Sequence, residues 1–258
     1  MMVLLLAVVV SSCSKYQQLL KSTDNELKYE KAIEYFEQGD YYKSLMLLQQ
    51  LNAVYRGTNK AEKLTYYMAY CYYEQKDYIL ASYYFKRYAQ NFPRTDRAEE
   101  CLYMNAYCYY LDSPRYSLDQ SNTFTAIKEL QLFINQYPDS ERVDKANELM
   151  DDLRDKLEEK AFEIAELYYK MGDYQAAITS FKNILQDFPD AEYKEEVMLY
   201  ILKAYYDYAI NSIKEKKEER LTDAVQAFET FVYNYPESEY LDEAGKYHKN
   251  TRQVLEKF

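Results

Sequence analysis

Tryptophan is absent from the 258 residues, histidine occurs once, at His248, and glycine occurs only four times. With one imidazole, no glycine-rich phosphate loop and no cluster at metal-ligand spacing, the chain has few means of general acid–base, phosphoryl or metal chemistry. No enzymatic activity, resident metal or cofactor is expected. Basic charge is also scarce: 32 Lys and Arg stand against 43 Asp and Glu, a net charge of −11. Nothing offers a footprint for a phosphate backbone, so nucleic acid is excluded as an expected partner, and anionic lipid gains little from the bulk charge. The low glycine count and only five prolines, against abundant Ala, Leu, Glu, Lys and Gln, describe a chain that is helical nearly throughout and lacks strands. No redox motif surrounds Cys71, Cys101 or Cys108. Cys71 and Cys108 fall at equivalent repeat positions and could pair only if their helices met there; small buried core residues are the favoured expectation.

What the chain has is repetition. An aromatic pair, an Asp-Tyr step, an apolar run and an aromatic-Pro closure recur: Tyr35-Phe36 with Asp40-Tyr41, Tyr72-Tyr73 with Asp77-Tyr78 and Phe92-Pro93, Tyr168-Tyr169 with Asp173-Tyr174 and Phe188-Pro189. Tyr137-Pro138 and Tyr235-Pro236 close two further units, giving a period of roughly 45–50 residues. Stepping back from each Asp reaches Ala32, Ala69 and Ala165, small residues that let two helices approach, and Ala106 fills the same place in the third unit. Ala81 and Ala177, then Phe85 and Phe181, line the second helices, and Pro ends each hairpin because it cannot continue a helix. This wording resembles the tetratricopeptide repeat, and the expected fold is all-α: a tetratricopeptide superhelix of about five helical hairpins.

Two units read as loosened. The third carries an inserted loop, DSPRYSLDQSN over residues 112–122, and the fifth a charged stretch from Lys214 to Arg220 expected as loop. Residues 140–171 read as one long helix, with KANELMDDLRDKLEEK (residues 145–160) pairing charges over a Leu and Met stripe.

Residues 3–10, VLLLAVVV, are too short to span a bilayer and suit the core of a signal peptide. Val10-Ser11-Ser12-Cys13 follows and resembles a bacterial lipobox, in which the cysteine is diacylated and becomes the first residue. No Asp follows Cys13, and no acidic run; by that resemblance the destination is the outer membrane, lipid-anchored, on its periplasmic face. The expected organisation is a signal peptide over 1–12, a lipidated polar tether over 13–27, N-terminal repeats over 28–138, and the long helix, last repeats and capping helix over 139–258.

Thirty-three tyrosines exceed what a core needs, since each buried hydroxyl wants a partner. Register places Tyr66, Tyr70 and Tyr73 on one face of a first helix and Tyr103, Tyr107 and Tyr110 on the same face of the next, with Tyr29 and Phe36 continuing the stripe. Such rings suit an extended, aromatic-rich peptide at low entropic cost, and a substrate groove is the expectation there.

Several strings carry a closer resemblance: KSTDNELKYEKA (21–32), Tyr55-Arg56-Gly57, DYILASYYFKRYAQNFP (77–93) and YCYYLDSPRYSLDQ (107–120). With the lipobox and five hairpins they are similar to the BamD family, lipoproteins of the outer-membrane β-barrel assembly machine, and the tyrosine-rich wording is closer to the Bacteroidetes form. The resemblance implies a non-catalytic scaffold whose N-terminal repeats receive unfolded outer-membrane β-barrel proteins through an extended, aromatic-ended C-terminal signal. It implies a C-terminal half docked on the periplasmic POTRA domains of BamA, through a basic position on the long helix that falls at Lys156, with Arg154 and Asp152 beside it. A tetratricopeptide lipoprotein serving another envelope process, as a secretin pilotin or a cell-division coordinator, is the alternative these residues leave open.

Overall fold

The computed structural model describes residues 15–191 and 193–258; Cys13 and the lipobox-like run lie outside the described residues. Every regular element among the described residues is helical, as expected. A short helix, α1, covers residues 15–21. It is followed by α2 (Asn25–Glu37), α3 (Tyr41–Asn52), α4 (Lys60–Glu74), α5 (Tyr78–Asn91), α6 (Ala98–Asp112) and α7 (Ser121–Gln136). Then come α8 (Val143–Lys170), α9 (Tyr174–Asp187), α10 (Lys194–Ile210), α11 (Lys214–Asn234) and α12 (Leu241–Leu255).

The recurrent Asp-Tyr step is a helix start. Asp40, Asp77 and Asp173 are the N-caps of α3, α5 and α9, and each carboxylate accepts the backbone N–H three residues on, from Lys43, Leu80 and Ala176 at 3.2 Å. The residue just before the cap takes a left-handed turn: Gly39 and Gly172 at φ 77° and 79°, and Lys76 at φ 62° where glycine would be unstrained. The aromatic-Pro step is the corresponding stop. Phe92, Tyr137, Phe188 and Tyr235 share φ near −130° and donate their N–H to the carbonyls of Tyr88, Phe133, Ile184 and Phe231. Proline then holds that residue out of helical angles.

Each hairpin closes over small residues. Ala32, Ala69, Ala106 and Ala165 on first helices are fully buried, as are Ala81, Ala126, Ala177 and Ala224 on second helices. Phe85, Phe133, Phe181 and Phe231 fill the space beside them and are also sealed from solvent. Cys71, Cys101 and Cys108 are free and buried, as expected, and burial pushes the thiols of Cys71 and Cys108 up to about 12.

The helices divide into two units within α8, after Leu153. In unit 1, the α2/α3, α4/α5 and α6/α7 hairpins stack in order, and the first half of α8 adds Ala146, Leu149, Met150 and Leu153 to their core. In unit 2, the second half of α8 pairs with α9 through Phe162 and Ala165, α10 and α11 follow, and α12 packs on both. The long helix expected over 140–171 is thus one element serving two cores.

Two expectations are corrected. Residues 15–21 of the expected polar tether form α1. The Tyr16 ring packs edge-on against Tyr35 at 5.6 Å with its hydroxyl donating to the Lys43 carbonyl at 3.2 Å, and the buried Lys28 ammonium donates to the Leu20 carbonyl at 3.1 Å and to Gln50 at 2.7 Å. The charged stretch Lys214–Arg220 is not a loop but the opening turns of α11. Lys216 pairs with Glu219 one turn away at 2.9 Å, and the Arg220 guanidinium lies 3.7 Å from the Tyr208 ring centre, tying those turns to α10. The third-unit insertion is a loop, over residues 113–120, organised from within by the buried Gln120 amide, which donates to the carbonyls of Arg115, Tyr116 and Leu118.

Candidate functional site

The first helices of unit 1 carry the tyrosines singled out by register, and the structure sorts them into three environments. Tyr29 is buried, 8% exposed, edge-on to Tyr55 at 5.7 Å and under the Lys60 ammonium. It seals α2 against the connection to α4, and so belongs to the core instead of an open surface. Phe36 is half-buried at the other end of α2, 4.7 Å from the Tyr67 ring and 5.4 Å from Tyr41.

On α4, Tyr66 and Tyr70 lie 4.8 Å apart and both hydroxyls donate to the Glu100 carboxylate of α6, Tyr66 at 3.2 Å. The Arg97 guanidinium sits over the Tyr66 face at 4.4 Å. Burial first, then the Glu100 carboxylate, pushes the Tyr70 hydroxyl far above its ordinary range, so it is a fixed donor at any physiological pH. These two rings form a polar clamp between consecutive hairpins, with Tyr73 continuing the row 6.3 Å from Tyr70.

On α6 the arrangement differs. Tyr103, Tyr107 and Tyr110 stack face to face, successive centroids 5.9 Å apart and planes within 12° of parallel. Spacings of four and three residues put the rings one above another on one helical face. All three are half-buried, packed against the core of unit 1 on one side. The ladder is braced at one end by Phe133, 5.4 Å from Tyr103, and at the other by Asp152 of α8, which accepts the Tyr110 hydroxyl at 3.1 Å. Alternate side chains of an extended peptide lie about 6.5–7 Å apart, close to the spacing of these rings.

The residues expected to dock a partner are placed less coherently. Asp152 is exposed but bonded to Tyr110 in unit 1, whereas Arg154 and Lys156 belong to unit 2. Asp152 and Lys156 are one turn apart on α8, with Arg154 on the far side of the helix. The same helix carries a feature that the sequence reading missed. Ile164, Leu167 and Tyr168, with Met171 in the turn just past its end, are 43%, 56%, 38% and 71% exposed and follow the spacing of one helical face, opposite the side on which Ala165 is buried and Phe162 and Tyr169 are half-buried. Both stripes satisfy helical periodicity, so periodicity alone could not say which faced the core.

Among the described residues no group of side chains could hold a metal ion, and no helix is long and apolar enough to cross a membrane. His248 stacks on Phe228 at 4.1 Å, where burial and Arg252 depress its pKa. Residues 21–221 match a protein-family model described as "YfiO: Outer membrane lipoprotein". Among solved structures the chain is similar to the TPR domain of P58(IPK). That likeness covers 93% of this chain and 68% of the other at 16% identity, with a TM-score of 0.43.

Proposed function

The chain belongs to the YfiO family of outer membrane lipoproteins, and from that premise we propose that it is a BamD-like, non-catalytic scaffold of the β-barrel assembly machinery. Its lipid anchor is Cys13, set in the lipobox-like sequence, and its working face is periplasmic. Unit 1 receives unfolded outer-membrane β-barrel proteins, and unit 2 docks on the POTRA domains of BamA.

The observation that carries the reading is the tyrosine ladder on α6. Three parallel rings, half-buried and braced at both ends, present ring edges and hydroxyls at a spacing suited to an extended segment with alternating aromatic side chains. Rigid aromatics lose little conformational freedom on binding, which favours a sequence-tolerant peptide surface. For BamA, the reading assigns the exposed α8 stripe as apolar anchors, with Lys156 as the charged neighbour; aliphatic and aromatic anchors ringed by polar groups are the ordinary composition of a docking core.

The test is site-specific photo-crosslinking in cells, with the probe at Tyr107, Tyr110, Leu167 and Lys156. Adducts from the first two positions to nascent β-barrel proteins and from the last two to BamA are expected. Adducts to a single secretion or division protein would replace this reading with another envelope role.

A further inference from the structure

The turns inside the three hairpins of unit 1 lie along one edge, because helices packed in sequence alternate in direction. That edge is apolar in register. Two residues before the buried Ser44, Ala81 and Ala126 of α3, α5 and α7 stand Tyr42, Ile79 and Phe124, exposed by 63%, 47% and 61%, with Leu80 at 40% beside Ile79. In unit 2 the equivalent places before Ala177 and Ala224 hold Gln175 and Thr222. Repeat geometry alone therefore does not require large apolar groups there. Away from this edge, the exposed large apolar residues among those described in unit 1 are Leu27 and Val54, from the first hairpin and its exit, and Tyr83 and Leu132, further along α5 and α7.

The second observation is where the N-terminal segment meets this unit. Tyr16 is fastened at the same edge, its hydroxyl on the Lys43 carbonyl in the first turn of α3 and its ring beside Tyr35. Cys13 is three residues earlier, and three residues of chain span at most about 11 Å. A lipid on Cys13 would bring the bilayer surface to the first turn of α3, next to Tyr42.

We propose that this turn edge of unit 1 rests on the lipid bilayer, with Tyr42, Ile79, Leu80 and Phe124 seated in its interfacial layer. The proposal rests on the reading of Cys13 as the anchor. Tyrosine at the headgroup level and aliphatic side chains just below it are the usual interfacial arrangement, and apolar contact of this kind does not need the basic charge that the chain lacks. The anchor then orients the protein as well as retaining it.

The absence of tryptophan makes the test direct, since each introduced indole is the sole one in the chain. Tyr42→Trp, Ile79→Trp, Phe124→Trp and, on the opposite edge, Val54→Trp are made in the chain from Cys13 onward. Each is coupled through Cys13 to a maleimide lipid in phosphatidylethanolamine/phosphatidylglycerol vesicles with brominated acyl chains; the other three cysteines are buried. Blue-shifted emission and severalfold stronger bromine quenching at positions 42, 79 and 124 than at 54 are expected. Equal quenching at all four positions, or none, overturns the proposal. A blue shift that appears without lipid and tracks dimer formation in sedimentation overturns it in favour of a second copy on this edge. Chemical coupling supplies the tether whatever the cell does, so the anchor reading is judged separately, by flotation and mass spectrometry of protein extracted from membranes.

Discussion

Glu100 is the residue on which the arrangement of the α4 tyrosines depends, and Glu100→Ala is the sharpest perturbation of it. The carboxylate accepts the hydroxyls of Tyr66 and Tyr70 across the junction of two hairpins. Hydrogen bonds to a charged group are worth about 1.5–3 kcal/mol when buried. The pair is half-exposed, so about 1 kcal/mol for each bond is the reasonable scale, or about 2 kcal/mol for the substitution. For units of this size that corresponds to a fall in melting temperature of roughly 4–8 °C. Circular dichroism at 222 nm gives the thermal and urea midpoints, and Glu100→Gln, which keeps one acceptor oxygen without the charge, is expected to lose about half as much. A double-mutant cycle with Tyr70→Phe isolates the bond: the coupling is expected at roughly 1 kcal/mol. A coupling near zero, or a Glu100→Ala midpoint equal to that of the parent protein, would refute the clamp and return Tyr66 and Tyr70 to being independent surface rings.

Other outcomes follow from single contacts. Lys76 occupies the left-handed turn position that Gly39 and Gly172 fill in sister repeats, so Lys76→Gly is expected to stabilise unit 1 by roughly 0.5–1 kcal/mol, read as a higher urea midpoint. The buried thiols of Cys71 and Cys108 are pushed up to about 12, against about 8.5 in an unfolded chain. Above that lower value the unfolded state releases protons that the folded state keeps, so their contribution is complete below about pH 8.5 and is lost as pH rises toward 12. Cys71→Ala with Cys108→Ala is expected to flatten the fall in stability measured between pH 8 and 10. Leu167→Glu with Met171→Glu, on the exposed stripe at the end of α8 and in the turn after it, is expected to weaken binding to BamA POTRA domains at least tenfold in calorimetry while leaving the melting temperature within a few degrees.

The parts of this fold that sequence alone made legible are those set by local stereochemistry. An Asp ahead of an apolar run caps a helix wherever it stands, a proline stops one, and an alanine repeated at a fixed offset marks close helix contact, so the hairpins and their order were readable. The parts that were not legible depend on partners distant in the chain. A polar segment opening on Ser14-Lys15-Tyr16 reads as tether, and only the pocket formed by Tyr35 and Lys43 shows that Tyr16 is core. Lys214–Arg220 reads as a solvated loop by charge, yet the same residues are good helix formers once Arg220 is held against Tyr208. The tyrosine stripe was found by register. Its division into a sealed Tyr29, a Glu100-bound pair and a stacked ladder was not, because each fate is decided by a side chain from another element: Tyr55 of the α3–α4 connection, Glu100 of α6 and Asp152 of α8.

The central claim is that the α6 ladder receives extended, aromatic-ended segments. Its most direct test is fluorescence anisotropy of a labelled C-terminal peptide from an outer-membrane β-barrel protein, titrated with the parent chain and with Tyr107→Ala/Tyr110→Ala. Each ring stacked on the peptide contributes about 0.5–1.5 kcal/mol beyond its buried area, so the double substitution is expected to weaken binding by roughly tenfold or more, with helical content unchanged. Equal affinity for both proteins would contradict the account and leave the ladder as packing alone.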